Sequence, residues 1–407
     1  MSSNRPGTVI ATVCVVEALG MTAFATFPTL IPLFQGEWGL NSTEAGWISG
    51  IYFAGYVAAV AVLTALTDRI DARRVYLWSM ALSCLSALGF ALFASGLWSA
   101  SLWRLLQGIG LAGTYMPGLK ALSDVLPDRL QSRATAFYTS SFGVGASLSY
   151  YLSGVLSESL DWQWTFGLLA VGPAIAFVLA LRVFESRRHH GELPATRLLD
   201  FRPVIANRKA LGFTLAYTVH NAELFAFRTW IVAFLVFSQS YQSAGALGAG
   251  VSAATIAALL NLLGMPSSVL TNEIAGRLGR QRTIIAVMLT SAVVGTLFGF
   301  SSTMVFWLVL ALAVAHAITI TADSATITAG VVRAAEPVYK GTTMAMHSVV
   351  GFVGAVLGPM LFGAVLDLAG GAQQPAAWGY AFGSMALVLL LGPVAVAKFV
   401  GMKPRMY

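Results

Sequence analysis

Charge is scarce in this chain, and its scarcity argues against an ordinary soluble protein. Charged residues make up 10% of the 407 residues, whereas apolar residues make up 57%. A soluble domain carries roughly 25% charged residues, which it needs to cover its surface. In a bilayer, polar surface is needed only at the two ends of each spanning segment. The composition therefore indicates an integral membrane protein.

Long apolar runs stand where charge is missing, and each is long enough to cross a membrane as a helix. Backbone groups in lipid must be hydrogen-bonded within the segment, and a span needs about 20 apolar residues. A membrane β-barrel would show alternating segments of about 10 residues instead, and this sequence lacks them. We predict twelve transmembrane helices, near residues 9–34, 45–66, 75–94, 99–122, 134–156, 163–183, 210–236, 245–270, 283–302, 304–330, 342–366 and 377–400.

Cysteine and the common catalytic motifs are also scarce or missing. The two cysteines, Cys14 and Cys84, both fall in predicted helices, so they indicate neither a disulfide framework nor a metal site. The chain has no H-E-x-x-H, no G-x-S-x-G and no P-loop. We therefore predict no enzyme, no ATP-driven pump, no catalytic residue, no bound metal and no cofactor.

The basic residues are concentrated on one side of the predicted membrane. A net charge of +7 could suggest a nucleic-acid partner, but the positions do not. Of the 24 basic residues, all except Arg104, Lys120 and Arg228 lie in segments on the same side as the N terminus. Cytoplasmic loops carry the excess of Lys and Arg. We therefore predict a multi-pass protein of a bacterial inner membrane, with both termini in the cytoplasm and no nucleic-acid partner.

One polar stretch divides the chain into two related halves. We predict an N-terminal six-helix bundle over residues 1–184, a cytoplasmic linker over 185–209 and a C-terminal six-helix bundle over 210–407. Glycines recur at equivalent places in helices five and eleven. Repeated bundles of this kind place a substrate site near the bilayer midplane.

Three local patterns resemble the major facilitator superfamily, and the resemblance extends over essentially the whole chain. They are the loop G-x-L-x-D-R-x-G-R-R after helix two, the helix-four pattern R-x-x-Q-G-x-G and the start of helix six. The matching residues are Leu66, Asp68, Arg69, Arg73, Arg104, Gln107, Gly108, Gly110 and Trp162–Phe166. The resemblance implies an all-α membrane protein with two pseudo-symmetric six-helix bundles. It also implies that Arg104 couples proton movement to transport.

The loop after helix two has a second copy after helix eight. The residues that we assign to this gating loop and its copy are Asp68, Arg69, Arg73, Arg277 and Arg280. Acidic and basic residues there can pair, and in the superfamily the loop stabilises the outward-open form. In this chain, however, an aspartate replaces one of the usual glycines of the loop.

Ionisable side chains within the predicted helices are few, and such residues are costly in a membrane. Those that we assign to substrate binding or coupling are Glu17, Arg104, His220, Glu223, Arg228, His316 and Asp323. All lie on helices one, four, seven and ten, which line the central cavity in the superfamily. For His316, and for His347 in helix eleven, the alternative is a histidine that only packs.

The arginines favour an anionic substrate, because a guanidinium binds carboxylate or phosphate at two points. The alternative is that each is neutralised by an acid, for example Arg228 by Glu223. A carboxylate in low-dielectric surroundings is costly to ionise, so Glu17, Glu223 and Asp323 can bind and release protons. Histidine can do so as well.

These features favour a proton-coupled secondary transporter of a small organic or inorganic anion, monomeric and working by alternating access. A proton-driven exporter of drugs or other amphipathic compounds is the alternative. Many such exporters carry G-x-x-x-G-P in helix five, whereas this chain has that pattern in helix eleven, from Gly354 to Pro359. A receptor that does not transport is a further alternative, although it would usually carry a soluble output domain.

Overall fold

A computed structural model describes residues 6–67, 69–184, 201–242 and 250–401. These residues are mostly helical and contain no β-strand, as predicted. Among them, nine helices are long and apolar enough to cross a membrane. The all-α membrane fold is therefore confirmed.

The N-terminal half contains nine helices in the described residues. They are α1 (Pro6–Gly20), α2 (Thr26–Thr29), α3 (Ile31–Trp38), α4 (Ser42–Leu66), α5 (Ala72–Phe93), α6 (Leu97–Val125), α7 (Asp128–Ser157), α8 (Trp162–Leu169) and α9 (Val171–Val183).

The described part of the C-terminal half likewise contains nine α-helices, followed by one π-helical turn at Val396–Val400. They are α10 (Arg202–Ala206), α11 (Arg208–Ser240), α12 (Ala253–Leu278), α13 (Arg280–Phe300), α14 (Phe306–Ala322), α15 (Ser324–Ala334), α16 (Lys340–Leu368), α17 (Pro375–Leu389) and α18 (Leu391–Ala395). Joined across their breaks, and leaving out the short α10, the helices of the two halves give six long segments each.

The first segment is not the continuous helix that we predicted over residues 9–34. It is broken over residues 21–25, between α1 and α2. Ser149 of α7 stabilises the break, since its Oγ accepts from the Ala25 N–H at 2.9 Å and donates to the Thr22 carbonyl at 2.6 Å. A buried hydroxyl thus takes over backbone groups that a continuous helix would pair internally.

The tenth predicted helix, over residues 304–330, is also broken. Asp323 lies at the break, between α14 and α15, and it is buried. Its ψ of −15° departs from the usual helical value. The break therefore places an acidic side chain where the regular helix is interrupted.

The chain consists of two compact units. The first comprises Met1–Phe34 and Ile51–Ala195, and the second comprises Gln35–Gly50 and Thr196–Tyr407. The predicted domain boundaries at residues 184 and 209 remain a prediction, since residues 185–200 lie outside the described part.

The first nine residues of α4 belong to the second unit, and Asp367, near the end of α16, caps this helix. Its Oδ1 accepts from the Ser42 N–H at 2.9 Å, and its Oδ2 accepts from the Thr43 N–H at 2.7 Å. The Thr43 hydroxyl donates to the same Oδ2 at 2.6 Å. A carboxylate at a helix N terminus satisfies exposed N–H groups and is favoured by the helix dipole.

Glycines set the closest helix contacts within each unit. In the first unit, a Cβ at Gly145 of α7 would lie 2.9 Å from the Cα of Ala18 in α1. In the second, a Cβ at Gly354 of α16 would overlap the Thr218 carbonyl of α11. The equivalent glycines therefore let α7 approach α1 closely in the first unit, and α16 approach α11 closely in the second.

Candidate functional site

Glu17 lies at the centre of a tyrosine-rich cluster in the first unit. It is on α1 and 1% exposed. Tyr138 of α7 places its hydroxyl oxygen 2.8 Å from Glu17 Oε2, and Oε1 has no hydrogen-bond partner among the described residues. The hydroxyl of Tyr76, on α5, is likewise buried and unpartnered among them. The cluster thus encloses an acid in phenol groups rather than in basic ones.

Arg104 of α6 is equally buried, with 2% of its surface exposed. Its Nη1 donates to Gln107 Oε1 at 2.8 Å and to the Phe24 carbonyl at 3.2 Å. The R-x-x-Q spacing places Gln107 one turn further along the helix. The break after α1 leaves the Phe24 carbonyl available. The guanidinium also lies 4.3 Å from the centre of the Tyr52 ring, so the contacts of Arg104 within the described part are with uncharged groups.

His220 and Asp323 form a buried pair in the second unit. His220 Nδ1 lies 2.8 Å from Asp323 Oδ1, with the two side chains 1% and 3% exposed. This is an ion-pair distance, although the atoms lack the alignment of a hydrogen bond. The break between α14 and α15 brings Asp323 to α11, so the pairing depends on an irregular backbone rather than on a helix face.

Glu223 and Arg228, both on α11, have different neighbours in the described part. Glu223 is buried, and its Oε1 accepts a hydrogen bond from the Ser291 hydroxyl of α13 at 2.9 Å. Arg228 is half-buried, and its guanidinium lies 5.3 Å from the centre of the Phe225 ring. The hydrogen bond of Glu223 is thus with a hydroxyl group and not with a guanidinium.

The remaining histidines occupy different surroundings. His316 of α14 lies among aromatic rings, with Phe227 at 5.1 Å and Phe382 at 6.0 Å between ring centres. His347 of α16 instead stacks on Tyr217, with ring centres 4.2 Å apart. Tyr217 also stacks on His220, with ring centres 5.6 Å apart, so Tyr217 links the two histidines. The structure thus brings His347 into the cluster of His220 and keeps His316 in a packing environment.

The sequence pattern of the Major Facilitator Superfamily matches residues 13–304. The chain belongs to this superfamily. It is therefore a multi-pass membrane transporter of small solutes and not an enzyme.

Two superfamily relatives and one solved structure are informative. The chain is 25% identical to the "Gentisate transporter" of Corynebacterium glutamicum over 81% of this chain and 74% of that protein. It is 28% identical to the "Tetracycline resistance protein, class H" of Pasteurella multocida, with the match spanning 48% of each chain. A bacterial homologue of the human lysosomal transporter Spinster shares the fold, with a TM-score of 0.79, 14% identity and full coverage of both chains.

In the loop that is typical of the superfamily and in its second copy, arginine side chains donate to backbone carbonyls. Arg73 Nη2 donates to the Leu181 carbonyl at 2.8 Å, and Asp71 caps α5 by accepting from the Arg73 N–H at 3.0 Å. In the second copy, Arg280 Nη1 donates to the Thr326 carbonyl at 2.6 Å. Arg69 and Arg277 are exposed. Asp68 lies outside the described residues, so its predicted pairing stays untested.

Two tyrosines of this superfamily member escaped the sequence analysis. The site residues assigned from the sequence do not include Tyr138 and Tyr217. The only signal for Tyr217 was its i,i+3 spacing from His220. For Tyr138 there was none, since its partner Glu17 is 121 residues away in sequence.

Among the described residues, no three His, Cys, Asp or Glu side chains are grouped to hold a metal ion.

Proposed function

We propose that this superfamily member is a proton-coupled porter of small organic anions that works by alternating access. The observation that carries the proposal is the surroundings of Arg104. Its guanidinium is buried, and its contacts within the described residues are an amide oxygen, a backbone carbonyl and a ring face. A buried charge without an opposite charge is costly. A transported anion would supply that charge when the conformation changes.

Proton coupling is proposed from the buried acids. Glu17, Glu223 and Asp323 are each less than 5% exposed. Their contacts are hydroxyl groups or an imidazole rather than lysine or arginine. A carboxylate in such surroundings can take up and release a proton, and an imidazole can exchange one with it.

Placement in the membrane is part of the same proposal. We infer a bacterial inner membrane, with both termini in the cytoplasm, because the predicted cytoplasmic loops carry the excess of Lys and Arg. The proposal also includes a monomer, since each transport unit of two bundles would hold its own site.

Gentisate is a suitable first probe, because the relative of that name aligns over 81% of this chain. It is an aromatic carboxylate, and so it carries the charge that Arg104 would bind. Purified protein would first be screened by thermal shift against gentisate, benzoate, inorganic phosphate and tetracycline. The hits would then be tested for uptake into proteoliposomes with and without an imposed pH gradient.

We expect an organic carboxylate to raise the melting temperature and to enter the vesicles faster when the gradient drives protons inward. The substitution Arg104→Ala should weaken binding of the carboxylate more than binding of its uncharged amide. Equal weakening of both, or uptake that ignores the gradient, would rule out the proposed function.

Export of amphipathic compounds is the second candidate, and the match to the tetracycline resistance protein favours it. Buried acids suit cationic cargo as well as protons. The same vesicles distinguish the anion porter from the exporter. An exporter would move tetracycline in exchange for protons that move in the opposite direction, and it would not respond to carboxylates.

A further inference from the structure

The hydroxyl of Tyr138 faces two acceptors but has one hydrogen to donate. Its oxygen lies 2.8 Å from Glu17 Oε2 and 3.0 Å from the carbonyl oxygen of Thr114 in α6. The carbonyl can only accept. If Tyr138 donates to the carbonyl, the contact with Glu17 needs a proton on the carboxyl group. Both contacts are then hydrogen bonds only when Glu17 is protonated.

The second carboxyl oxygen supports the same protonation state. Glu17 Oε1 is buried and has no hydrogen-bond partner among the described residues. An ionised carboxylate would leave a charged oxygen without a donor, which costs far more than leaving the oxygen of a neutral acid.

The titratable groups around Glu17 are tyrosines. Tyr138 on α7 contacts Glu17 directly, and Tyr115 on α6 stacks on Tyr138 with ring centres 5.9 Å apart. Tyr52 on α4 and Tyr76 on α5 lie within electrostatic range of Glu17. The helix α9, which also packs on α1, contributes apolar residues such as Ala176 and Ala180. Within the described part, no basic side chain lies at ion-pair distance from Glu17.

We propose that Glu17 carries its proton in this conformation and that Tyr138 is the positioning residue that transmits its loss to α6. The carboxyl O–H donates to Tyr138, and Tyr138 donates to the Thr114 carbonyl. When the proton leaves, the Tyr138 hydrogen turns to the carboxylate, and the carbonyl loses this donor. In α6, Pro117 lacks a backbone N–H, so the carbonyl of Gly113, next to Thr114, has no helical hydrogen bond from it. This inference rests on the proton coupling proposed above.

Tyr76 provides a matched control for Tyr138. Both rings are fully buried, and a Cβ at Gly118 would contact the two of them. Only the Tyr138 hydroxyl is hydrogen-bonded within the described residues, since the Tyr76 hydroxyl has no partner there. Tyr138→Phe and Tyr76→Phe therefore remove the same atom from the same cluster, and only the first removes the proposed link.

The test is a pH titration of the purified full-length protein by infrared difference spectroscopy. The carboxylic acid C=O band of Glu17 would be identified by its loss in Glu17→Gln. We expect the band at neutral pH in the unmodified protein. In Tyr138→Phe its frequency should change, and its titration midpoint should move about one unit to higher pH, because the ionised form loses the stronger hydrogen bond. Tyr76→Phe should change neither.

Absence of the band at neutral pH, or equal changes in both tyrosine variants, would overturn the inference. Melting curves establish that each variant is folded. The measurement needs no substrate. A protein with this band but with transport that ignores a pH gradient would contradict the proposed function and leave the inference intact.

Discussion

The two units of the molecule bury their charges in different ways. In the first, Glu17 is enclosed by tyrosines, while Arg104 lies apart from it among uncharged groups. In the second, Asp323 lies 2.8 Å from His220, and Glu223 accepts a hydrogen bond from a serine. The first unit thus keeps acid and base separate, whereas the second places an acid against a titratable base.

This difference suggests a division of labour. A permanent positive charge that lacks an acid partner suits an anionic cargo, because the cargo can supply the missing charge. An acid beside an imidazole suits proton exchange, because either partner can hold the proton. Related halves of one chain would then have diverged, so that the first unit combines substrate binding at Arg104 with the proton of Glu17, whereas the second unit handles protons alone.

The largest effect is expected from Arg104. Arg104→Ala should lower carboxylate uptake by about 100-fold or more, because loss of a buried charge partner is worth about 3–5 kcal/mol. Arg104→Lys should recover part of the uptake, since it restores the charge without the planar two-point geometry. The measurement is initial uptake into proteoliposomes at equal amounts of folded protein.

If uptake by Arg104→Ala is within about threefold of that of the unmodified protein, then anion binding cannot be assigned to the first unit. That result would mean that a half-buried residue such as Arg228 binds the anion instead.

A second prediction separates the two acids of the second unit. Asp323→Asn should lower transport by about tenfold and reduce the melting temperature, because it leaves His220 without its acid partner. Glu223→Gln should leave the melting temperature nearly unchanged, since the amide oxygen can still accept from Ser291. Melting curves and pH-driven uptake of the two variants check this directly.

If Glu223→Gln proves as damaging as Asp323→Asn, then the proton site is shared by both acids. The distinction between Asp323, which is paired with His220, and Glu223, which is bound by Ser291, would then be wrong.

The contacts of the candidate site could be predicted from the sequence for some residues and not for others. Arg104 and Gln107 were identified together because a helical motif fixes their spacing. The pairing of His220 with Asp323 was not, because it joins helices seven and ten and depends on a break at Asp323 within a predicted continuous helix. Asp71 was noted as a departure from the superfamily's glycine, and the structure gives it a local role as a helix cap.

The fold was more predictable than the contacts for a physical reason. Hydrophobic length alone sets where helices cross a membrane. Breaks such as that at residues 21–25 depend instead on a distant hydroxyl, Ser149, that satisfies the freed backbone groups. Polar side chains at distant positions therefore decide both the breaks and the site geometry.

The smallest effect is expected from His316 and His347, the two histidines for which packing alone was the alternative. His347→Leu removes a ring that stacks on Tyr217, a contact worth about 0.5–1.5 kcal/mol, so transport should fall by about fivefold. His316→Leu should change transport by less than about twofold, and it should raise the melting temperature slightly because it removes a buried, unpartnered Nδ1. Leucine has a similar volume to histidine, so both variants test ring chemistry more than packing. Equal losses from the two would mean that the aromatic surroundings of His316 belong to the working site, and the polar cluster of the second unit would then extend along α14.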